Sequence, residues 1–166
     1  MRIKKLKIEN CKIVNYKKGF TLMEALIVFF VISLLIAAAI PQFSAMRERQ
    51  TLTNAGENIL SALNKARSQT LASLDSSSYG VRFEPGAVII FKGESYSAED
   101  PDNQSMNITA PAAISNVTLG GVSSSSGELF FNRLTGAPED AGTVTVSNSS
   151  LSKTITISAT GAVSMD

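Results

Sequence analysis

The 166-residue chain has one cysteine, no histidine and no tryptophan. Without histidine, it cannot form a Ser-His-Asp or Cys-His nucleophile arrangement or a histidine-ligated zinc site. The one cysteine, Cys11, lies near the start of the chain, so no intrachain disulfide can staple the remainder. We find no other constellation of catalytic groups. The sequence therefore predicts a protein that is not an enzyme and that holds no cofactor.

The charge is divided unevenly along the chain. The net charge is +1, but the first 19 residues carry seven lysine and arginine side chains against one glutamate, which leaves the remainder at −5. Basic residues beside an apolar segment tend to stay in the cytoplasm, so we expect the C-terminal part to be extracytoplasmic. The cations of the predicted strand region are scattered at Arg82, Lys92, Arg133 and Lys153. No footprint for nucleic acid is visible, and none is expected as a partner.

One long apolar run stands out against the polar remainder. From Ala25 to Ile40 the only polar side chain is Ser33, and Glu24 directly precedes the run. Counted from Phe20, the segment matches the roughly 20 residues that a helix needs to cross a bilayer. A carboxylate in such a segment costs on the order of a few kcal/mol, so it usually has a purpose and a partner. We therefore expect a single-pass membrane helix with a functional glutamate.

The residues around this glutamate form a motif, Lys17-Lys18-Gly19-Phe20-Thr21-Leu22-Met23-Glu24. It resembles the processing and assembly signal of type IV pilins and type II secretion pseudopilins. In that family a prepilin peptidase cuts after the glycine, the new N-terminal phenylalanine is methylated, and the glutamate guides assembly. The resemblance implies cleavage between Gly19 and Phe20, N-methylphenylalanine at Phe20, and an assembly role for Glu24. Pro41 lies where pilins commonly carry a helix-kinking proline, and the resemblance implies an assembly role for it as well.

Other readings of this segment remain open. An uncleaved signal anchor would explain the apolar run, although not the spacing of Gly19, Phe20 and Glu24. Cleavage after the Ala37–Ala39 segment would give a rival topology in which Glu24 is discarded. Alternatively, the Glu24 side chain only extends to the cytoplasmic interface of the membrane. The alternative functions are a membrane-anchored extracytoplasmic ligand-binding domain and a minor pilin for DNA uptake.

After Pro41 the helical period resumes. Apolar and small residues recur at steps of three and four, which predicts an amphipathic helix whose stripe faces a core. We expect helix from Phe20 to about Leu74, kinked or broken by Pro41 and weakened at Gly56. The stripe consists of Leu52, Ala55, Ile59, Leu63, Ala66 and Thr70, widened by Leu60, Leu71 and Leu74.

Beyond Asp75 the apolar period changes to two, which predicts strands. Pro85-Gly86 and Thr160-Gly161 read as turns of a first and a last hairpin. We expect loops over residues 93–104, 123–127 and 136–142. The strand candidates are Tyr79–Phe83, Ala87–Lys92, Ser105–Thr109, Ile114–Leu119, Glu128–Asn132, Thr143–Ser147, Lys153–Ser158 and Ala162–Met165. The predicted fold is α+β, pilin-like, with a long N-terminal helix packed on an antiparallel sheet or sandwich.

The acidic loop Glu94–Asp102 contains hard oxygen ligands, among them Asp100, Asp102 and Asn103. Calcium binding is chemically permitted there, but the EF-hand spacing is missing. A solvated loop is the favoured reading, and no metal site is predicted.

The predicted organisation has three parts. Residues 1–19 form a basic leader that is removed, 20–41 a transmembrane assembly helix, and 42–166 an extracytoplasmic domain with helix over 42–74 and strands over 79–166. The domain resembles the minor pseudopilin H and FimT-like group. The resemblance implies a structural minor subunit of a type II secretion pseudopilus or type IV pilus, held in the inner membrane, with prepilin peptidase and other pilins as partners. The segments that carry it are Leu63–Ser68, the first hairpin, Glu128–Asn132 with Gly136, Gly142–Val146, and Ile155–Ser158 with Gly161.

Overall fold

A computed structural model describes residues 19–166, except for the side chains of Ile40 and Pro41. The predicted basic leader, apart from Gly19, lies outside the described residues. The chain divides into two compact units at the Pro41–Gln42 bond. The first unit contributes the beginning of one long helix, and the second contains the rest of that helix and all the strands of the described region.

Helix α1 spans Leu22–Leu71, and a short 3-10 helix follows at Leu74–Ser76. The predicted helix is confirmed to within three residues at each end. We expected Pro41 either to kink or to break the helix. Pro41 lies inside α1 and does not end it, so the helix is not broken there. α1 ends because Ser73 adopts a left-handed conformation, with φ of 48°, and the last turn tightens as the Ser73 amide donates to the Thr70 carbonyl at 2.9 Å.

The second unit forms two antiparallel sheets from the nine strands of the described residues. One sheet has the order β3-β2-β1-β6, and the other has the order β5-β4-β7-β8-β9. The fold is α+β, as predicted, with α1 packed on the sheets. The strand bounds are β1 Tyr79–Glu84, β2 Ala87–Lys92, β3 Gln104–Asn107, β4 Ala113–Leu119, β5 Val122–Ser124, β6 Gly127–Phe130, β7 Gly142–Ser147, β8 Ser152–Ile157 and β9 Val163–Met165.

The predicted helix stripe from Leu52 to Thr70 is buried against the strands, where Ala62 joins it. The expected widening of the stripe is wrong at Leu71 and Leu74, which are about half exposed, and Leu60 is only partly buried. Those two leucines lie at and beyond the end of α1, where the chain leaves the sheets. Gly56 is buried, and a β-carbon there would press on the flexible Met165 side chain, so β9 occupies the space that a larger residue would need.

Thr70 is fully buried and joins the end of α1 to the start of β1. Its hydroxyl donates to the Ala66 carbonyl at 2.9 Å and accepts from the Tyr79 amide at 2.9 Å. A buried hydroxyl without partners would cost about 1–3 kcal/mol. Because both roles of the hydroxyl are satisfied, a polar residue can occupy the apolar stripe.

Strand β5 contradicts the predicted loop over residues 123–127. Gly120 and Gly121 adopt φ of 55° and 83° and form a two-residue turn, so the chain reverses at once after β4. Two positive φ values in a row are what a type I′ hairpin turn requires, and glycine adopts them without strain. The Gly-Gly pair was therefore the signal in the sequence for this hairpin.

The second unit should fold without residues 1–46. The Asn148 side-chain amide donates to the Glu48 carbonyl at 3.0 Å, and Leu52 is the first residue of α1 in the buried core, so both contacts survive this truncation. We expect a soluble, monomeric protein with mixed α and β circular dichroism and a cooperative urea transition.

A second truncation that removes residues 1–54 tests where the unit begins. It deletes Glu48 and Leu52, and burial of a leucine of this kind contributes about 2–5 kcal/mol. Its urea midpoint should therefore fall well below that of the chain beginning at Arg47. An unfolded or purely helical spectrum for the longer chain would contradict the fold.

Candidate assembly site at the start of the helix

The segment ahead of α1 leaves the predicted processing bond open. Gly19 and Phe20 are non-helical, and Phe20 is 83% exposed. No other atom of the described structure lies within 4 Å of the space beside the Gly19 α-carbon. Within the described residues, the Gly19–Phe20 bond is therefore exposed and lies outside the helix.

Thr21 caps the N-terminus of α1. Its hydroxyl accepts a hydrogen bond from the Glu24 amide at 3.2 Å, and its carbonyl accepts one from the Ala25 amide at 3.1 Å. This satisfies one of the orphan donors of the first turn. Thr21 was missed in the sequence analysis, although threonine followed three residues later by glutamate is the pattern of a capping box.

Glu24 lies in the first turn of α1 with an exposed side chain. A carboxylate there is favoured by the positive end of the helix dipole, typically by about 0.3–1 kcal/mol. Among residues 19–166, no lysine or arginine forms an ion pair with it. Phe20 lies four residues before Glu24 in sequence, in the non-helical segment that precedes α1. Within the described residues the carboxylate is therefore available to an outside cation.

The first unit exposes a continuous apolar surface after Glu24. By length and composition, α1 contains a segment that could cross a membrane, and none of that segment is buried within the protein. The hydroxyl of Ser33 donates to the Phe30 carbonyl at 2.8 Å, so the one polar side chain of the run has an internal partner. This is what a lipid environment requires, because it offers no hydrogen bonds. Large exposed residues include Leu26, Ile27, Phe29, Phe30, Leu34, Leu35 and Ile36.

Pro41, the fourth residue of the predicted site, lies within α1 at the end of the first unit. Exposed Phe43 and Met46 follow it in the second unit, before the helix reaches the core at Leu52. The backbone thus places Gly19, Phe20 and Glu24 within two turns of one another, whereas Pro41 lies more than four turns further along the same helix.

Two comparisons with protein-family models agree with this geometry. Residues 14–40 match the prokaryotic N-terminal methylation motif, a range that includes Gly19, Phe20 and Glu24. Residues 55–161 match the type II transport protein GspH, which is more than half of the chain. The chain belongs to the GspH family. No solved structure matches the chain significantly.

The family assignment identifies the chain as a pilin-like, single-pass membrane-anchored pseudopilin. The matched families are structural pilins and pseudopilins, not enzymes. The GspH match covers the end of α1 and nearly all of the strands, whereas the methylation motif covers the residues around Gly19 and the apolar run. The two matches therefore correspond to a membrane-anchoring part and a folded part of one pseudopilin.

The acidic loop has internal partners in this pseudopilin. The Asp102 carboxylate lies 3.6 Å from the Lys92 ammonium, and the Asp100 carboxylate accepts the Asp102 amide at 2.9 Å. The Asn103 side-chain amide donates to the Ser97 carbonyl at 2.7 Å. In the part of the chain that the structure describes, no group of three acidic side chains is placed to hold a metal ion.

Two of the four scattered cations are also neutralised by neighbours. Arg82 lies 3.1 Å from the Glu128 carboxylate, and Lys92 pairs with both Asp75 and Asp102. The hydrogen bond with Asp75 raises the pKa of Lys92, so this ammonium stays charged through the physiological pH range. Phosphate binding would need unpaired cations grouped on one face, and these two do not supply them.

Proposed function

We propose that this pseudopilin is a structural minor subunit of a type II secretion pseudopilus, or of the related type IV pilus. Prepilin peptidase cleaves it between Gly19 and Phe20, and the new Phe20 amine is methylated. Residues 20–41 hold it in the inner membrane, with residues 42–166 on the extracytoplasmic side. The observation that carries the proposal is an accessible Gly19–Phe20 bond, directly ahead of a capped helix with one available carboxylate and an exposed apolar surface.

The proposed assembly step follows from the charge of Glu24. In lipid, a carboxylate without a partner costs on the order of a few kcal/mol. Cleavage creates an ammonium at Phe20, and methylation leaves it charged. An ammonium paired with a carboxylate in a low dielectric is much more favourable than either charge alone. The Glu24 carboxylate of one subunit therefore attracts the Phe20 amine of its neighbour, which sets the register of the filament.

The processing step has a direct test. We expect mass spectrometry of the membrane fraction to find a peptide that begins at Phe20 and carries one additional methyl group on its amine. Gly19→Val should block cleavage, since the peptidase motif loses its glycine, and the unprocessed chain should accumulate in the membrane. Cys11→Ser, a change in the same leader outside the motif, serves as the matched control. A mature chain that begins at Met1, or after Ala39, would contradict the proposed function.

A further inference from the structure

Residues 93–103, between β2 and β3, lie over the outer face of the four-stranded sheet, and we call this loop the strap. In β2, Val88 and Ile90 belong to the core, whereas Ile89 and Phe91 alternate with them and therefore face away from it. A side chain on the outer face of a sheet would normally meet water, yet Phe91 is only 1% exposed. Part of this outer face is therefore apolar and covered.

The strap covers Phe91 through Tyr96. The ring centroids of these two residues are 5.9 Å apart and the rings are inclined at 65°, which is an edge-to-face pair. The Arg82 guanidinium lies 5.6 Å from the centroid of the Tyr96 ring, so a cation–π contact adds to the pair. Gly80, opposite Phe91 on β1, leaves room for the Phe91 ring, since a β-carbon there would collide with it. The strap and the sheet thus enclose a small apolar layer outside the core.

One ion pair fastens the strap. The Lys92 ammonium lies 3.6 Å from the Asp102 carboxylate of the strap and 3.3 Å from Asp75, in the segment after α1. Among residues 19–166, no other ion pair joins the strap to the rest of the chain. The Asp102 side chain is 60% exposed. Exposed ion pairs contribute little and are screened by salt, so this fastening is weak.

The closed position leaves two polar atoms without partners. Of the three buried side-chain atoms that lack a hydrogen-bond partner among the described residues, two are Arg82 Nε and Asn103 Oδ1. Arg82 faces the Tyr96 ring, and Asn103 is the last residue of the strap. A buried polar atom without a partner is unfavourable, and both atoms would gain water if the strap moved away. Their burial therefore opposes closure.

Both ends of the strap are held more firmly than its middle. The Gly93 amide donates to the Ser78 carbonyl at 2.8 Å, and the Lys65 ammonium donates to the side chain of Gln104, directly after the strap, at 2.6 Å. Gly93 has φ of 104°, a conformation that glycine adopts readily, and the space beside its α-carbon is open. The chain can therefore turn at Gly93 without a collision.

We propose that the strap is a cover that opens locally: it turns about Gly93, breaks the Lys92–Asp102 pair and exposes Phe91 while the core stays folded. Proteins open locally where few apolar contacts hold a segment, and here one aromatic contact and one exposed ion pair do so. Because the ion pair is screened by salt, the open fraction rises with ionic strength. In the open state the sheet offers an apolar surface that the closed state hides. This device lies within the second unit alone and is independent of the proposed function.

Hydroxyl-radical footprinting of the full-length chain in membrane vesicles tests this proposal, because side-chain oxidation, measured by mass spectrometry, reports exposure to water. Phe91 and Phe83 are matched probes: they are 1% and 0% exposed on neighbouring strands of one sheet, but Phe83 faces the core. The measured quantity is the ratio of Phe91 oxidation to Phe83 oxidation. We expect a ratio above unity that rises about threefold when NaCl is raised from about 0.05 M to about 1 M, where the screening length is about 3 Å.

A substitution in the strap gives the second measurement. Asp102→Asn removes the ion pair of the strap and leaves the pair of Lys92 with Asp75 in place. At low salt it should raise the oxidation ratio about threefold, with little further effect of salt, since an exposed ion pair contributes a factor of up to about five. Asp100→Asn is the matched control, because Asp100 forms no ion pair among the described residues and an asparagine oxygen can still accept the Asp102 amide. It should keep the wild-type ratio and salt response.

Equal oxidation of Phe91 and Phe83 at every salt concentration would overturn the proposal, because the strap would then leave the sheet only when the core unfolds. A ratio that does not change with salt, or equal ratios for Asp102→Asn and Asp100→Asn, would contradict the role of the ion pair. If Asp102→Asn prevents folding, Phe83 oxidation rises together with that of Phe91, and the salt dependence of the wild-type chain then decides.

Discussion

Glu24→Ala should reduce incorporation of the pseudopilin into filaments about 100-fold or more, while membrane insertion and cleavage stay intact. Removing one partner of a desolvated ion pair typically costs about 3–5 kcal/mol, because the other charge is left without compensation. In the proposed assembly step, the remaining charge is the Phe20 ammonium of the neighbouring subunit. Insertion should be unchanged or improved, since a carboxylate leaves the apolar segment. The measurement is the fraction of cleaved subunit recovered in sheared filaments.

At this position, the effect of the substitution on assembly can be separated from an effect on the helix itself. Thr21 caps α1 through the backbone amide of Glu24, not through its carboxylate. Glu24→Ala and Glu24→Gln therefore both retain the cap, and the beginning of the helix should not change. Glu24→Gln keeps the shape of the side chain and removes only the charge, so it should fail to assemble as well.

Ser33→Ala is the matched control for the Glu24 variants. It also removes a polar group from the same apolar run, but the Ser33 hydroxyl already bonds to the Phe30 carbonyl of its own helix. Incorporation should remain near the wild-type level. If both Glu24 variants are incorporated at the wild-type level, Glu24 only extends to the membrane interface and does not pair with a neighbour. The same result is expected if this subunit is the first of its filament, because it then has no earlier subunit to dock on. Crosslinking to a named neighbour separates these two outcomes.

Local periodicity was sufficient to predict most of the fold. The three- and four-residue steps from Leu52 to Thr70 predicted the buried face of α1, and the change to a two-residue period predicted eight of the nine strands of the described residues. The Pro85-Gly86 turn is confirmed by the pairing of Glu84 with Ala87. These features depend on residues close in sequence, so a reading along the chain can detect them.

Contacts between distant segments could not be predicted in the same way. Leu71 is about half exposed and its side chain lies beside Gly136 of the loop after β6, a contact between distant segments that no local pattern encodes. A groove of about 640 Å³ likewise brings together segments near residues 73, 94 and 133. Of the candidate assembly site, the motif predicted Gly19, Phe20 and Glu24. The cap at Thr21 was not predicted, although the motif contains the Thr-x-x-Glu spacing of a capping box. The motif was interpreted through the charge of the Glu24 side chain, whereas the cap uses the Glu24 backbone amide.

Arg67 shows what such distant contacts contribute. Its Nε donates to the Gly136 carbonyl at 2.9 Å, and its Nη2 donates to the Thr160 carbonyl at 3.0 Å. One side chain of α1 thus holds the loop after β6 and the turn between β8 and β9, which we call the Arg67 bridge. Arg67 lies outside the apolar stripe predicted from the sequence, so no local pattern assigned it these contacts. Only the fold reveals why glycines stand at positions 136 and 161.

Arg67→Met should destabilise the second unit by about 2 kcal/mol, equivalent to a fall in Tm of about 8 °C for a domain of this size. Methionine keeps an apolar stem but donates to neither carbonyl. Hydrogen bonds from a charged donor contribute about 1.5–3 kcal/mol each. Arg67 is partly exposed, so water can hydrogen-bond to the same groups in the variant, and the loss of stability is smaller than the sum of two such bonds. Urea unfolding of the chain that begins at Arg47 gives the measurement. Arg49→Met, at an exposed position of the same helix, should change stability by less than about 0.5 kcal/mol.

A double-mutant cycle then tests whether the Arg67 bridge acts as one unit. Gly161 has φ of 79°, and a side chain there would collide with the Gly136 carbonyl and approach the Arg67 guanidinium. Gly161→Ala should therefore displace the same turn that Arg67 holds, in addition to its own backbone strain. Both changes disrupt the same contacts, so their effects should not add. The free energy of unfolding of the double variant should fall by less than the sum of the two single decreases, with a difference of at least about 0.5 kcal/mol. Strict additivity, or an Arg67→Met chain as stable as the wild type, would show that the two loops are held in place by the core alone.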